Sequence, residues 1–336
     1  MHISIMLSNK CNYNCSHCIE NSSPNQLERL PLNEITGVID NAGGISASDD
    51  ENLRISFTGG EPFLHFDDLL ECARAAKRNK AYRIDCITNC FWAVDFNNAS
   101  RILKKVKDAG IDHISFSYDQ YHSRFIELEH LKNAFKAAVE NGIKVKFKIV
   151  LFNGSERAYE FLEKISDTTS GKGFSIEELV GLPLGRAMEL DRALFLFSPG
   201  IPSGKCQGIG NLLVTNKGDV YPCCCPTFSE ALRLGNVCTA PLADIYKRMN
   251  DSSLLKILLA HGPCYFLPFL KEQGLEFPEG SYVDVCHLCS EVFKNHKSYN
   301  NTFNQAIAEW KLNRQKNKEL ADVFSGFLCE DSKGSS

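Results

Sequence analysis

Three closely spaced cysteines near the N-terminus constrain this chain more than any other feature. Cys11, Cys15 and Cys18 form a C-x3-C-x2-C run directly after a short apolar stretch, residues 3–7. Three thiolates at this spacing can hold three corners of a four-iron cluster and leave the fourth iron open, whereas structural zinc sites and closed clusters use four protein ligands. On its own, the run is also compatible with a small zinc site or an unrelated group of reduced cysteines.

A glycine-rich turn follows the second predicted strand. It reads Gly59-Gly60-Glu61-Pro62. The glycines allow close approach of the backbone to a ligand, because no Cβ intervenes. The Glu61 carboxylate can accept a hydrogen bond from a ligand ammonium, and Pro62 fixes the exit of the turn. Gly-Gly-Pro turns are common, but this string about forty residues after the cysteine run is not.

Together, the two motifs resemble the radical S-adenosylmethionine (SAM) superfamily. The resemblance implies that Cys11, Cys15 and Cys18 ligate a [4Fe-4S] cluster and that the segment 59–61 binds the methionyl part of SAM. It also places His17, the residue before the third cysteine, near the adenine. Further contacts to SAM are expected from residues that follow the third, fourth and sixth predicted strands, namely Asn89, Ser117 and Arg186, whose guanidinium suits a carboxylate.

The bulk properties narrow the class of protein. The chain has 336 residues, 43% of them hydrophobic, which suffices for one large and one smaller domain. A net charge of −4 without a basic block argues against a nucleic-acid partner. No signal peptide or membrane-length apolar run is present, so we expect a cytoplasmic protein without a membrane partner. Fifteen cysteines then indicate metal binding, not disulfides.

The pattern along the chain predicts an α/β fold. Six strand candidates alternate with amphipathic stretches, at 3–7, 53–58, 82–88, 112–118, 144–151 and 174–182. Repeated strand–helix–strand units imply a parallel sheet, and six of them would form a partial (β/α)6 barrel over residues 1–197. Sites in such barrels lie at the carboxyl ends of the strands, where both motifs fall.

A second group of cysteines predicts an auxiliary cluster within residues 198–302. A turn at residues 216–219 would bring Cys206 and Cys223 together, and Cys286 and Cys289 form a C-x2-C pair. This region resembles the SPASM/twitch extension of radical SAM enzymes, in its single-cluster form with a second [4Fe-4S] cluster. A four-cysteine zinc site is the alternative, and Cys238 or Cys264 could replace one ligand. Residues 303–336 are expected to form a helix with a disordered end.

Cys224 is the candidate hydrogen donor. If Cys223 faces the cluster from an extended segment, Cys224 points to the opposite side, where a thiol could give a hydrogen atom to a carbon radical. Four short strings, at residues 9–24, 115–122, 218–226 and 285–293, resemble the epimerases that make D-amino acids in epipeptides. In those enzymes the cysteine after the cluster ligand is the hydrogen donor. The neighbouring Cys225 leaves the choice of donor open. Asp119 and His122, after the fourth strand, are candidates for substrate binding or proton transfer.

The leading hypothesis is therefore a radical SAM peptide epimerase. Its partners would be a precursor peptide and a one-electron donor such as flavodoxin or ferredoxin. The alternatives are a thioether or carbon–carbon crosslinking peptide maturase, a twitch-type small-molecule alcohol dehydrogenase, and a non-catalytic redox-sensing activator. An aromatic and leucine-rich insertion at residues 250–285 could hold an apolar peptide segment or simply pack against the barrel.

Overall fold

Six strands alternate with five helices over the first 180 residues. The computed structural model describes residues 1–224 and 229–330, with the side chains of the last helix described up to residue 316. The elements of the first half are β1 (His2–Met6), α1 (Leu32–Ser48), β2 (Arg54–Thr58), α2 (Phe66–Arg78), β3 (Arg83–Thr88), α3 (Phe96–Ala109), β4 (His113–Ser117), α4 (Leu128–Glu140), β5 (Lys144–Leu151), α5 (Ala158–Thr169) and β6 (Ser175–Val180). Each predicted strand is present, with ends that differ by at most two residues.

The second half adds short strands and then helices. These are β7 (Asn211–Val214), β8 (Asp219–Tyr221), β9 (Gly235–Asn236), α6 (Leu242–Asp251), α7 (Ser253–His261), α8 (Leu267–Lys271), α9 (Val285–Phe293) and α10 (Asn300–Glu330). The tail expected to be disordered, residues 331–336, lies outside the described residues. Among the described helices no single one could cross a membrane by length and composition; the stretches 253–261 and 263–271 meet that test only as a pair, bent by 111°.

One sheet runs through both halves. Its order is β6-β5-β4-β3-β2-β1-β7-β8-β9, with β1 to β7 parallel to their neighbours and the last two pairings antiparallel. The sequence did not lead us to expect that the C-terminal hairpin would pair with β1. This pairing fixes the hairpin, and with it Cys223, to the strand that leads into the first cysteine motif.

Successive side chains along the strands point to opposite faces of the sheet, one packed against the helices and one facing the inner side. In β4, Ile114 and Phe116 are fully buried against the helices, whereas Ser115 and Ser117 face the other side of the sheet. That inner side is polar at its amino-terminal end: Asp85 pairs there with Arg54 at 2.7 Å and with Arg83 at 2.6 Å. Apolar packing against the helices thus holds the sheet, and the inner side is left for polar groups and ligands.

Candidate active site

A cavity of about 430 Å³ opens at the carboxyl ends of the strands. Its walls come from the cysteine loop, which we define as residues 8–23, from the ends of β2 to β6, and from the C-terminal region. Most of the predicted site residues line it: Cys11, Cys15, His17, Cys18, Gly59, Gly60, Glu61, Asn89, Ser117, His122, Arg186, Cys224 and Cys286. Pro62 is absent from these walls; it lies buried at the start of the short helix of residues 62–65.

The two glycines fasten the cysteine loop to β2. The backbone N–H of Gly60 donates to Ser8 O at 2.9 Å, and that of Glu61 donates to Lys10 O at 2.8 Å. A Cβ on Gly59 would lie 2.4 Å from Ser8 O, and one on Gly60 would lie 2.0 Å from Lys10 O. We expected the two glycines to let the backbone approach a ligand. In the structure, they let it approach the loop that carries the cysteines.

Glu61 joins β2 to β3. Its carboxylate is 1% exposed and accepts hydrogen bonds from Thr88 Oγ1 at 2.9 Å and from the backbone N–H of Asn89 at 2.8 Å and of Phe63 at 3.0 Å. Burial raises the pKa of Glu61 to about 7, against the hydrogen bonds that lower it. With three protein donors in place, at most one lone pair of the carboxylate is free for a ligand ammonium.

Arg186 holds the cysteine loop from behind. Its Nε donates to Cys15 O at 2.9 Å and its Nη2 donates to Ser22 O at 2.7 Å, while its backbone N–H donates to Cys18 O at 3.0 Å. We expected this guanidinium to pair with a SAM carboxylate. The structure instead commits its Nε and Nη2 donors to backbone carbonyls and leaves Nη1 for a ligand, because the loop passes directly over the side chain.

The first three cysteines fit a cluster with three protein ligands. All three are free thiols on the cavity wall. Burial raises the pKa of Cys15 to about 12, and the thiols of Cys11 and Cys18 are the next strongest electrostatic influences on it. Asn89 Nδ2 also donates to Cys11 Sγ at 3.8 Å. Buried thiols cannot ionise without a counter-charge, and a bound iron cluster would provide one.

The four other predicted ligands are electrostatic neighbours of one another. Burial raises the pKa of Cys289 well above its usual value, and its strongest electrostatic neighbours are Cys223, Cys206 and Cys286. Cys286 and Cys289 lie in the first turns of α9, whose amino-terminal dipole favours thiolates. Cys264 instead donates to a backbone carbonyl, Pro202 O, at 3.0 Å. The donor set is therefore four cysteines, which suits a closed cluster or zinc.

Cys224 lines the same cavity as the first three cysteines. Its neighbour Cys223 is buried near the other cluster ligands, so successive side chains point to different sides of the segment. The Cys224 side chain is open to solvent, yet the surrounding protein raises the pKa of its thiol by desolvation, partly offset by the Lys148 ammonium. Cys225, the other candidate donor, lies outside the described residues.

Asp119, His17 and His122 form one buried group at the cavity edge. Oδ2 of Asp119 lies 3.3 Å from Nε2 of His17 and 3.0 Å from Nδ1 of His122. Burial alone would raise the pKa of Asp119, but the two histidines outweigh it and hold the pKa well below its ordinary value. The sequence had marked all three residues without indicating that they meet.

Sequence reasoning missed an apolar wall and one acid. Val150, Leu179, Val180 and Leu182 line the cavity at the ends of β5 and β6, and Asp284 lines it as the N-cap of α9. Their positions at strand ends would have been the signal for the apolar residues. Asp284 carried no signal, because only tertiary packing brings α9 over the barrel.

Comparisons with known proteins agree with this arrangement. The model of the radical SAM superfamily matches residues 5–164, and that of an iron–sulfur cluster-binding domain, SPASM, matches residues 206–290. YydG of Bacillus subtilis, a protein named for peptide biosynthesis, is 24% identical over 306 residues, covering 89% of this chain and 93% of YydG. A GTP 3′,8-cyclase of Helicobacter pylori is 23% identical over 268 residues, covering 66% of this chain and 79% of the cyclase.

The fold also matches a solved structure. The structure of anSMEcpe with bound AdoMet superimposes with a TM-score of 0.54 at 15% identity, covering 91% of this chain and 95% of that one. The two matched domains imply SAM with its [4Fe-4S] cluster in the first domain and iron–sulfur binding in the second. This chain therefore contains a radical SAM domain, which is followed by an iron–sulfur cluster-binding SPASM domain.

Proposed function

We propose that this enzyme converts L- to D-amino acids in a ribosomally made peptide. The observation that carries the proposal is the placement of Cys224 in the cavity that Cys11, Cys15 and Cys18 also line. The S–H bond of a thiol is weak enough to give a hydrogen atom to a carbon radical. An epimerase needs such a donor on the side of the substrate away from the group that removes the hydrogen.

The chemistry divides between the cofactor and the chain. When bound, SAM and its reduced cluster supply a 5′-deoxyadenosyl radical that removes a Cα hydrogen from the substrate. The S–H bond of Cys224 then breaks as a C–H bond forms on the other face of the Cα radical, and a thiyl radical remains on Cys224. One electron from a flavodoxin- or ferredoxin-type donor and one proton restore the thiol. Cys223, the preceding residue, is one of the four cysteines that would hold the auxiliary cluster, so this cluster would lie close to the Cys224 sulfur.

A peptide substrate is supported by the open edge of β6. Within the part of the chain that the structure describes, no strand pairs with this edge. The backbone N–H of Gly181 donates to Leu151 O, so alternate residues of β6 face β5 and the amides of Ile176, Glu178 and Val180 face outward. Unpaired edge amides are a template for an added strand, and extended peptides bind to many proteins in this way.

The same edge leads into the cavity. Leu179 and Val180 are each 39% exposed, and both line the cavity wall. A peptide paired with β6 would thus run toward the three cysteines and Cys224. The relation to YydG, named for peptide biosynthesis, supports the same substrate class. GTP 3′,8-cyclases, by their name, act on a nucleotide, and an added strand would serve no purpose for such a substrate.

The test is mass spectrometry of candidate precursor peptides. Each is incubated without oxygen with reconstituted, reduced enzyme and SAM in D2O. Epimerisation predicts a product heavier by one deuterium at a Cα and a D-residue after hydrolysis. A product lighter by two hydrogens would instead indicate crosslinking or dehydrogenation and would remove the need for a hydrogen donor.

Cys224→Ala separates the donor from the rest of the site. We expect this variant to cleave SAM and to abstract the Cα hydrogen without forming D-residues. Cys264→Ala is the matched control, since this partly buried thiol contacts Pro202 O and does not line the cavity. Normal D-residue formation in the Cys224→Ala enzyme would refute the donor assignment. SAM cleavage with every peptide unchanged would favour a small-molecule substrate.

A further inference from the structure

Two imidazoles and one carboxylate converge at the edge of the cavity. The three ligand-capable atoms lie within 4.8 Å of one another, on His17, Asp119 and His122. The side chains of His17 and Asp119 are 6% and 2% exposed, and that of His122 is 15% exposed. Both histidines line the cavity, so a ligand there can reach this group.

The fold fixes the three side chains in advance. Oδ1 of Asp119 accepts the backbone N–H groups of Tyr121 at 2.9 Å and of His122 at 3.1 Å, which directs Oδ2 toward the two rings. The His17 ring stacks on the Tyr121 ring at 4.7 Å, and the His17 and His122 rings meet edge to face at 4.9 Å. The donor atoms are thus held by backbone and ring contacts that remain when no ligand is bound.

Hydrogen bonding satisfies this group only in part. Oδ2 of Asp119 and Nδ1 of His122 are buried, and neither forms a hydrogen bond of acceptable angle although they lie 3.0 Å apart. Nδ1 of His17 is likewise buried without a hydrogen-bond partner. Buried polar atoms without partners cost free energy and call for an explanation such as a bound ion.

The charge balance also favours a cation. The strongest electrostatic partners of Asp119 are His122 and His17, and no lysine or arginine is among them. A carboxylate this deeply buried is stabilised by an adjacent cation, and a divalent cation bound by all three residues would be one.

The distances match a metal site. Metal bonds of 2.0–2.1 Å place neighbouring ligand atoms about 3.0 Å apart in octahedral and about 3.3 Å apart in tetrahedral coordination. The two separations from Asp119 Oδ2, 3.0 Å and 3.3 Å, lie within this range, and all three atoms lie within 4.8 Å of one another. Two histidines and one carboxylate are also a donor set that binds divalent transition metals and leaves positions open for further ligands.

We propose that His17 Nε2, Asp119 Oδ2 and His122 Nδ1 form a mononuclear site for a divalent transition metal such as Mn²⁺, Fe²⁺ or Zn²⁺. Its open positions would accept an oxygen ligand in the cavity, for which a substrate carbonyl is the fitting chemical class. The site uses none of the cysteines as a ligand and does not depend on the peptide reaction proposed above.

Binding of Mn²⁺ to the cluster-loaded enzyme tests the site. Iron occupies the cysteines in this form, and the loss of the six-line EPR signal of free Mn²⁺ reports binding. We expect about one Mn²⁺ per chain, released by Zn²⁺, with imidazole nitrogen couplings in the electron spin echo of the wild-type enzyme. Removing one ligand, in His122→Ala or Asp119→Asn, should weaken binding at least about tenfold.

His113→Ala is the matched control. His113 Nδ1 lies 2.8 Å from a carboxylate oxygen of Asp112, but among the described residues no third ligand joins that pair, so the variant should bind Mn²⁺ like the wild type. Iron content and melting temperature establish that each variant is folded. The proposal is overturned if neither Mn²⁺ nor Zn²⁺ binds, if His122→Ala binds Mn²⁺ as tightly as the wild type, or if bound Mn²⁺ shows no nitrogen coupling. The spectroscopic criterion needs no variant and holds even if His122→Ala fails to fold.

Discussion

Replacing Gly60 with alanine should disable the cysteine loop without touching a cysteine. The added Cβ would lie 2.0 Å from Lys10 O and 2.4 Å from Lys10 C, both of them backbone atoms next to Cys11. The backbone of Gly60 does not have a positive φ, so alanine fits its conformation and the conflict is purely one of space. Side-chain rotation cannot relieve it.

The size of the effect follows from that overlap. Ordinary contact begins near 3.4 Å, so the loop backbone has to retreat by about 1.4 Å, the difference from 2.0 Å. Overpacking of this kind costs about 1–3 kcal/mol of folding free energy. Displacement of a reacting group by about 1 Å can cost about 100-fold in rate, and we expect a loss of at least that size in SAM cleavage.

The assay is release of 5′-deoxyadenosine from SAM by anaerobically reconstituted enzyme, together with iron per chain and a thermal melt. Gly200→Ala is the control, because a Cβ there meets nothing within 4 Å and the φ is not positive; its rate should stay within about twofold of the wild type. A Gly60→Ala enzyme with normal cleavage rate, iron content and melting temperature would show that the loop is not held by this contact.

Three further changes probe other parts of the structure. Asp85→Asn should lower the free energy of unfolding by about 2 kcal/mol at neutral pH, because it removes charged hydrogen bonds to Arg54 and Arg83. These arginines hold the pKa of Asp85 below its ordinary value despite burial, so the stabilisation is present above the ordinary pKa and is lost as the pH falls through the folded-state pKa. Urea titrations of both forms should therefore converge at low pH. Val180→Pro removes a backbone amide that faces outward from β6 but no hydrogen bond to β5. Peptide turnover should therefore fall, whereas the rate of SAM cleavage without peptide should stay the same. An unchanged KM for the peptide would refute strand addition. Arg186→Gln should lose two charged hydrogen bonds to the cysteine loop and retain less iron, whereas normal iron content with weaker SAM binding would favour a direct contact to the carboxylate.

Local sequence patterns were enough to predict the fold class and most of the residues that line the cavity. Strands and helices alternate with the expected periodicities, and the carboxyl ends of parallel strands meet at one edge, so residues such as Asn89 and Ser117 could be assigned to the cavity from the sequence. The spacing of Cys11, Cys15 and Cys18 lies within one short loop. Their proximity is therefore nearly a property of the chain itself, since few backbone degrees of freedom separate them.

Tertiary structure decided what those residues do to one another. The sequence marked Gly60 and Arg186 as ligand contacts, but in the structure both mainly contact the backbone of the cysteine loop. The contact between His17 and Asp119 joins segments about a hundred residues apart. Side-chain type and local spacing say which groups can interact. Which of them do depends on long-range packing, because every buried donor and acceptor must find its partner among all the segments that meet there.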